Sequence, residues 1–449
     1  MHHQASGLII QKLKRREVLI SLPETLDLTR FNYYASLVRR LQIFDNSAVL
    51  NYFLGLGWDN LVKHQATRAD GLTPNLISLS LVNTPNNQSN HAWSVLTKLF
   101  ISSRLEELRI PHFVGENGLN SSQLCPPEST VYKSLARRAT NVHTLELLHT
   151  SCVHSFDFLV YMRTLHHLET LIDIVYDHRV LAILGGLPNL ETLALHDYAH
   201  YNRSIDAPIL PNNAFPALRT LKVTCAFPSA AEVIWSVVPM VKRLTTVDFK
   251  IHYKHYSART NPVWVTSIIQ CICTGSPGLL DLRLHIRGQR EYRISLTSTH
   301  LELLATLRLR RVSLVHMVLM KAVPFTDFVS SFPDVEEFRY TSETIDFYDL
   351  HQLAVHMPRL KHLAIQSVRK YGRPFSVGDV VAPASNQTVM LESSWNGGRD
   401  LSKGLEETAV ILHAIWPKVR CIAPPDCVEE LVAGKVESLN TVIDRLGRR

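Results

Sequence analysis

Histidine and cysteine are the residues of this sequence with the greatest capacity for chemistry, numbering 22 and 7. Cys271 and Cys273 form a Cys-x-Cys pair of the kind that can bind a metal or exchange a disulfide. Histidines also lie close together in four pairs: His149/His154, His166/His167, His196/His200 and His252/His255. The spacing of the last two pairs could bring imidazole ligands together. No acidic or thiol partner recurs at ligand spacing, and the cysteine pair lies in WVTSIIQCICTG, an apolar run typical of a buried helix. We therefore predict no metal and no cofactor.

The motifs of common active sites are also missing from the sequence. It contains no nucleophile elbow G-x-S-x-G, no zinc-binding H-E-x-x-H and no phosphate-binding G-x-x-x-x-G-K-[ST]. We predict that the chain is not an enzyme. The alternative of an enzyme would require His196 and His200 to hold a metal together with a carboxylate.

The cysteines and the N-terminal residues indicate the compartment. The odd number of cysteines, without regular spacing, is unlike the paired framework of a small secreted domain. Ahead of KLKRR stands only the short apolar run LII, which lacks the apolar core of a signal peptide. The apolar stretch 260–280 contains Gln270 and Pro277, which suit a helix and a turn. We expect an intracellular protein, cytoplasmic or nuclear, with no membrane association.

A repeated apolar pattern supplies the elements that would position polar side chains. The segments PNLETLAL and PALRTLKV both follow the pattern L-x-x-L-x-L. The triplets are Val38/Leu41/Ile43, Leu76/Leu79/Leu81, Leu105/Leu108/Ile110, Val142/Leu145/Leu147, Leu190/Leu193/Leu195, Leu218/Leu221/Val223, Leu244/Val247/Phe249, Leu279/Leu282/Leu284, Leu309/Val312/Leu314, Val335/Phe338/Tyr340 and Leu360/Leu363/Ile365. A weaker one lies near Leu168/Leu171. The second and third positions alternate with a polar residue, as in a short strand buried on one face.

The stretches between triplets have helical spacing, for example DHRVLAILGG and DLHQLAVHM, and many end in Pro or Gly before the next triplet. Strand followed by helix, repeated, predicts an α/β fold with a parallel sheet. We predict an irregular leucine-rich-repeat solenoid, a ribonuclease-inhibitor-like horseshoe with strands on the concave face and helices on the convex face. The asparagine expected after each strand occurs only at Asn46, with Thr84 and Thr150 in matching positions, so irregular turns are expected.

In this arrangement the sequence resembles the F-box and leucine-rich-repeat (RNI-like) proteins that fungi encode in large families. RFNYYASLVRRLQIF, at 30–44, is similar to the first repeat after the F-box, and AVILHAIWPKVRCI, at 409–422, is similar to the closing helix and strand. The resemblance implies the substrate-binding part of a receptor of a cullin-type ubiquitin ligase. A stand-alone leucine-rich-repeat interaction protein with no ligase role remains the alternative.

The chain departs from that family at its N-terminal end. Leu22-Pro23 resembles the opening of an F-box, but the first repeat follows it too closely for that helical unit to fit. We expect residues 1–33 to be an N-terminal arm or the remnant of a lost or truncated F-box region, without adaptor binding. Residues 34–425 are predicted to form about 12 repeats, with an inserted loop near 369–403, and 426–449 a capping helix.

The residues between the apolar strand positions would line the concave face of the solenoid. The candidate binding residues are Arg39, Arg40, Glu106, Glu107, Arg109, Glu146, Glu191, Arg219, Lys222, Asp248, Arg310, Arg311, Glu336, Arg339 and Lys361. Basic and acidic positions alternate instead of forming the positive stripe that tracks a phosphate backbone, and the net charge of +7 is modest. We therefore expect an unidentified protein partner on this face and no nucleic acid.

Overall fold

The computed structural model describes residues 9–12, 18–21, 29–44, 72–82, 98–110, 128–148, 153–196, 210–225, 228–252, 263–287, 294–369, 375–380, 387–393, 404–424 and 430–448. The chain divides into two compact units. Unit 1 comprises Met1–Tyr198 and Arg203–Arg219, and unit 2 comprises Ala199–Asn202 and Thr220–Arg449. Among the described residues, no helix is both long and apolar enough to cross a bilayer.

Unit 1 contains an antiparallel hairpin, β1–β2, within the predicted N-terminal arm, and a parallel sheet in the chain order β3 to β8. Its strands are β1 (Ile9–Lys12), β2 (Val18–Ser21), β3 (Arg40–Phe44), β4 (Ser78–Val82), β5 (Glu107–Ile110), β6 (Thr144–Leu147), β7 (His167–Leu171) and β8 (Thr192–His196). The described α-helices are α1 (Thr29–Ala35), α2 (Glu128–Arg138) and α3 (His178–Gly185), with 3₁₀ helices at Val153–Tyr161 and Ile172–Tyr176. Asp177 begins α3 by accepting hydrogen bonds from the backbone N–H groups of Arg179 and Val180.

Unit 2 continues the strand-and-helix alternation. Its strands are β9 (Thr220–Cys225), β10 (Thr246–His252), β11 (Asp281–Arg287), β12 (Ile294–Leu296), β13 (Arg311–Val315), β14 (Met317–Leu319), β15 (Glu337–Asp346), β16 (His362–Arg369), β17 (Val389–Ser393) and β18 (Val419–Ile422). The main sheet is parallel in the order β9, β10, β11, β13, β15, β16, β17, β18, and β12 pairs separately with β14. Each unit is thus built around a parallel sheet in sequence order.

The helices of unit 2 occupy the connections between its strands. They are α4 (Ser229–Ser236), α5 (Val238–Val241), α6 (Val263–Gly275), α7 (Ser298–Ala305), α8 (Phe325–Ser330), α9 (Phe347–His356), α10 (Leu405–Ile415) and α11 (Glu430–Leu446), with a 3₁₀ turn at Val377–Asp379. Thr297 and Asp346 begin α7 and α9 with reciprocal capping boxes. The apolar sides of these helices are buried, as at Ile268, Ile269 and Ile272 of α6.

The apolar triplets form the core, and the prediction of a leucine-rich-repeat solenoid of α/β class is confirmed. The second and third residues of every predicted triplet lie on a strand of a parallel sheet. Leu190, Leu193 and Leu195 are completely buried. Of the residues between them, Glu191 and Thr192 are at least partly exposed and the small side chain of Ala194 is buried. In β7 the register pairs Thr170 with Leu147 and Leu195, so the third core position is Thr170 and not Leu171. A buried threonine there explains the weak apolar signal of this repeat.

We predicted an inserted loop near 369–403, and this prediction is wrong for the part that forms β17. Strand β17 pairs with β16 on one side and with β18 on the other. The register places Leu391 beside Leu363 and Ser393 beside Ile365. Ser393 is completely buried, so this repeat places a hydroxyl where most other repeats carry an apolar side chain. The apolar triplet is therefore incomplete in this repeat.

Polar side chains at the entrance to the strands tie neighbouring repeats of unit 1 together. Each comes immediately before the first buried residue of its repeat and bonds a turn carbonyl of the preceding repeat. The bonds are Asn75 to Ser36 O (2.6 Å), Asn141 to Ser103 O (3.1 Å), Thr164 to Thr140 O (2.8 Å) and Asn189 to Arg163 O (2.8 Å). The predicted counterparts Asn46, Thr84 and Thr150 lie outside the described residues. Backbone groups of these turns are thus satisfied at the start of the strand.

Helix α11 covers the end strand of unit 2. Val432, Val436, Leu439 and Ile443 are buried on its inner side, and the helix contacts both β18 and α10. Asn440 accepts a hydrogen bond from Cys421 N and donates one to Cys421 O, both at 2.9 Å. The side-chain amide thereby makes the two hydrogen bonds that the backbone of a neighbouring strand would otherwise make. It occupies backbone groups that an open sheet edge would offer to another chain.

Candidate functional site

Two rows of side chains run across the exposed face of each sheet, named here the strand face. The leading row is formed by register partners at the first or second residue of each strand: Arg40, Ser78, Glu107, Thr144, His167 and Thr192 in unit 1, and Thr220, Thr246, Asp281, Arg311, Glu337, His362, Met390 and Arg420 in unit 2. The middle row lies two residues later: Gln42, Ser80, Arg109, Glu146, Glu169 and Ala194, and then Lys222, Asp248, Arg283, Ser313, Arg339, Ala364, Glu392 and Ile422. Neighbours within a row are about 4.8 Å apart.

The structure divides the predicted binding residues into two sets. Eight lie in the two rows of the strand face: Arg40, Glu107, Arg109, Glu146, Lys222, Asp248, Arg311 and Arg339. The other seven come one residue before a strand: Arg39, Glu106, Glu191, Arg219, Arg310, Glu336 and Lys361. All are at least partly exposed. In this second set, Lys361 pairs with Glu336 at 2.5 Å, and Glu191 pairs with His166 at 3.4 Å. Some charged residues of the set are therefore already paired within the chain.

In unit 1 the rows bring two carboxylates and two histidines together. Glu146 and Glu169 are register partners on β6 and β7. Glu169 contacts His196 Nε2 at 2.6 Å and His167 Nε2 at 3.8 Å. The neighbouring imidazoles of His167 and His196 hold the pKa of Glu169 well below its usual range, whereas burial, followed by the charge of Glu169, raises the pKa of Glu146. The two neighbouring carboxylates therefore have opposite effects on stability.

This difference gives a prediction for the pH dependence of unfolding. Because the folded-state pKa of Glu169 is depressed, its stabilising contribution is present above the unfolded pKa of about 4.3 and is lost as pH falls. We expect Glu169→Gln to be less stable than the parent chain at neutral pH, with the difference narrowing below about pH 4.3. Urea unfolding of both chains at pH values across this range measures the difference in their free energies of unfolding.

Glu146→Gln is the matched variant with the opposite expected sign. Its raised pKa makes the ionised carboxylate unfavourable in the folded state, so the variant should be more stable than the parent at neutral pH. That advantage should shrink as pH falls through the raised pKa. A Glu169→Gln difference that stays constant with pH would contradict the assignment.

In unit 2 the rows enclose a depression of about 400 Å³. Its lining includes Asp248, Lys250, Asp281, Arg283, His285, Arg311, Ser313, Glu337, Arg339 and His362. Asp281 is 2% exposed and lies 3.0 Å from Nε of Arg311 and 3.5 Å from Nε of Arg283. Arg339 donates from Nη2 to both carboxylate oxygens of Glu392, at 2.9 and 3.1 Å. The depression thus combines paired and exposed charged groups of both signs.

Several charged residues of these clusters were not predicted from the sequence, among them Asp281, Arg283, Glu169 and Glu392. Asp281 and Arg283 flank Leu282 in a correctly identified triplet, so the rule used for the other repeats would have found them. Glu169 was missed because the weak triplet of β7 was read in the wrong register. Glu392 lies on β17, for which the apolar pattern provides no signal.

The metal-binding alternatives do not converge in the part of the chain that the structure describes. No group of three or more His, Cys, Asp or Glu residues there is placed to hold a metal ion. Cys271 and Cys273 lie on α6, and burial raises the pKa of the Cys273 thiol to about 12, which disfavours the thiolate needed for metal binding or exchange. His149, His200 and His255 lie outside the described residues.

No protein-family model matches the chain, and no curated protein matches it. An internalin (InlF) from Listeria monocytogenes aligns with a TM-score of 0.30 and 13% identity, over 80% of this chain and 87% of the internalin. The Rad7 and Elc1 complex of yeast aligns with a TM-score of 0.36 and 14% identity, over 75% of this chain and 82% of the matched chain. The fold assignment rests on the parallel sheets of this chain itself.

Proposed function

We propose that the chain is a protein-recognition scaffold that binds its partner on the strand face. The observation that carries the proposal is the in-register arrangement of exposed charged side chains across consecutive parallel strands. Such a surface is held rigidly by the core beneath it, so its charges need little reordering on binding. Basic and acidic residues alternate in parts of the rows, as at Arg109/Glu146 and Lys222/Asp248, and this favours a protein partner with a complementary charge pattern.

The same alternation argues against a nucleic-acid partner. Acidic residues interrupt the basic ones in each unit, as Glu146 follows Arg109 and Asp248 follows Lys222. A phosphate backbone would meet repulsion at these positions, whereas a continuous basic track is what such a ligand requires. A folded or extended protein segment can place a charge of the right sign at each position.

The finer proposal is that the chain supplies the substrate-binding part of a receptor of a cullin-type ubiquitin ligase. It is supported by the similarity of residues 30–44 and 409–422 to the first and last repeats of the F-box and leucine-rich-repeat family. The alternative is a scaffold with no ligase role. The level of the bound protein distinguishes them, since loss of a ligase receptor should make its substrate accumulate.

Site-specific photo-crosslinking in cells tests the scaffold proposal. A photoreactive amino acid at position 222, on the strand face, should give a discrete crosslinked protein. The same residue at the exposed position 232 on helix α4 is the matched control and should not capture that protein. Equal capture from both positions, or from neither, would refute recognition through the strand face. For the ligase proposal, the captured protein should accumulate when the gene for this chain is deleted.

A further inference from the structure

The depression on the strand face of unit 2 is centred on a small residue between larger cations. In the middle row Ser313 of β13 stands between Arg283 of β11 and Arg339 of β15. Two strand spacings separate the backbones of the two arginines by about 10 Å. Arg311 precedes Ser313 by two residues on the same strand and lines the same space. Three guanidinium groups and a hydroxyl therefore surround the 400 Å³ depression.

Charge is segregated by depth in this part of unit 2. The side chains of Asp281, Glu392 and Asp248 are 3%, 10% and 13% exposed, whereas those of Arg283, Arg311 and Arg339 are 53%, 48% and 44% exposed. These three carboxylates thus lie below the arginines, whereas the carboxylate of Glu337 is exposed beside them. Although the acidic and basic groups nearly balance in number, an approaching ligand meets the basic groups first.

The buried carboxylates also hold the arginines in place. Asp281 contacts Nε of Arg311 at 3.0 Å, and Glu392 binds one terminal nitrogen of Arg339. Long flexible cations lose side-chain entropy when they bind a ligand, and these two have already lost much of it on folding. A planar guanidinium held in this way suits the two oxygens of a carboxylate or phosphate.

We propose that this depression binds the acidic group of a side chain in an extended segment of the protein partner, with Arg283, Arg311, Arg339 and Ser313 as donors. The inference rests on the proposed protein-recognition function and specifies the chemistry of the partner. The acidic group is the carboxylate of Asp or Glu or the phosphate of a phosphorylated residue, since both present the oxygens that guanidinium groups bind. The depression, at about 400 Å³, is larger than one acidic side chain, so adjoining atoms of the segment enter it as well, and the open strand face accommodates the peptide on either side of it.

Glu337 adds selectivity to the site. It is exposed, lines the depression, and is the register partner of Arg311. Its carboxylate repels an acidic ligand from that side, so the ligand is directed toward Arg283 and Ser313. Removing the Glu337 charge should therefore increase the affinity for an acidic ligand. If the ligand bound a basic patch elsewhere on the molecule, this substitution would leave the affinity unchanged.

Binding of short degenerate peptide libraries to the purified full chain tests the proposal. The central residue is fixed as Glu, phosphoserine, Ser or Lys, and fluorescence anisotropy is recorded at low and physiological salt. Libraries with Glu, with phosphoserine or with both should bind, and binding should weaken as salt rises. The relative affinities identify whether carboxylate or phosphate is the preferred source. If the Ser or Lys library bound as well as the acidic libraries, or if a DNA duplex bound better than every peptide library, the proposal would be overturned.

Variants of the lining connect the binding to the depression. Arg283→Gln and Ser313→Glu should each lower the affinity for the acidic library by about tenfold or more, since a hydrogen bond between charged groups contributes at least this much to binding. Arg308→Gln removes an exposed arginine of unit 2 that neither lines the depression nor belongs to the candidate binding residues, and should leave the affinity unchanged. Glu337→Gln should increase the affinity. Thermal unfolding of each variant separates loss of binding from loss of folding, and an equal effect of Arg283→Gln and Arg308→Gln would refute the site.

The outcome also separates this inference from the proposed function. If position 222 still captures a protein while the acidic libraries fail to bind, the scaffold stands and the acidic-group site is wrong. If position 222 captures nothing and the libraries fail, both are wrong.

Discussion

Phe328→Ala should lower the free energy of unfolding of unit 2 by about 3–5 kcal/mol. Phe328 lies on α8 and is completely buried. Its ring centroid lies 5.7 Å from that of Phe338 and 5.2 Å from that of Tyr340, the two strand residues of the same repeat, and 5.8 Å from that of Phe332. Truncation removes a large apolar side chain and leaves a cavity between helix and strand, since rings held by the backbone cannot close the gap.

Urea-induced unfolding followed by circular dichroism and tryptophan fluorescence measures this change. Val263→Ala is the control, because Val263 is 81% exposed on α6 and its truncation should change stability by less than about 0.5 kcal/mol. If the two substitutions gave similar losses, Phe328 would not be the packing centre of its repeat.

Asn440→Ala should destabilise the C-terminal end of unit 2 and expose its sheet edge. The side chain bonds both backbone groups of Cys421, and each group left without a partner costs about 1–3 kcal/mol when buried. An unpaired strand edge also offers a template to other chains. We therefore expect a lower urea midpoint together with concentration-dependent self-association.

Asn440→Asp and Thr441→Ala separate the contributions at this edge. Aspartate can still accept from Cys421 N but cannot donate to Cys421 O, so its cost should lie between those of the parent and of Asn440→Ala at neutral pH. Thr441 is exposed on the adjacent position of α11 and its truncation should be nearly neutral. Urea unfolding and light scattering give both readouts. Unchanged association of Asn440→Ala would show that the helix alone protects the edge.

The strands could be predicted because their buried positions are almost all aliphatic or aromatic. In Leu218/Leu221/Val223 the three residues are at most 1% exposed, and this periodicity is visible without any tertiary information. Strand β17 was not predicted because one of its buried positions is polar. Its register places Ser393 where Ile365 stands in the preceding strand, so burial there leaves no apolar signal.

The candidate site was predictable only as a list of positions. Alternation along each strand identifies which side chains leave the core, and Arg311 and Arg339 were found in this way. It does not show that Arg339 pairs with Glu392, because these residues are 53 positions apart and their strands are separated by β16. Nor does it show that Asp281 is buried beneath two arginines.

Local periodicity thus established that this chain is an array of short strands and helices with charged residues between the core positions. Such information lies within each repeat, because the alternation of apolar and polar residues reports which side of a strand is buried. The grouping of charges into a Glu-His cluster on unit 1 and an arginine-lined depression on unit 2 depended on the register between repeats. Register places residues from different repeats about 4.8 Å apart, and this distance, unlike spacing along the chain, determines which charges pair and which remain available to a partner.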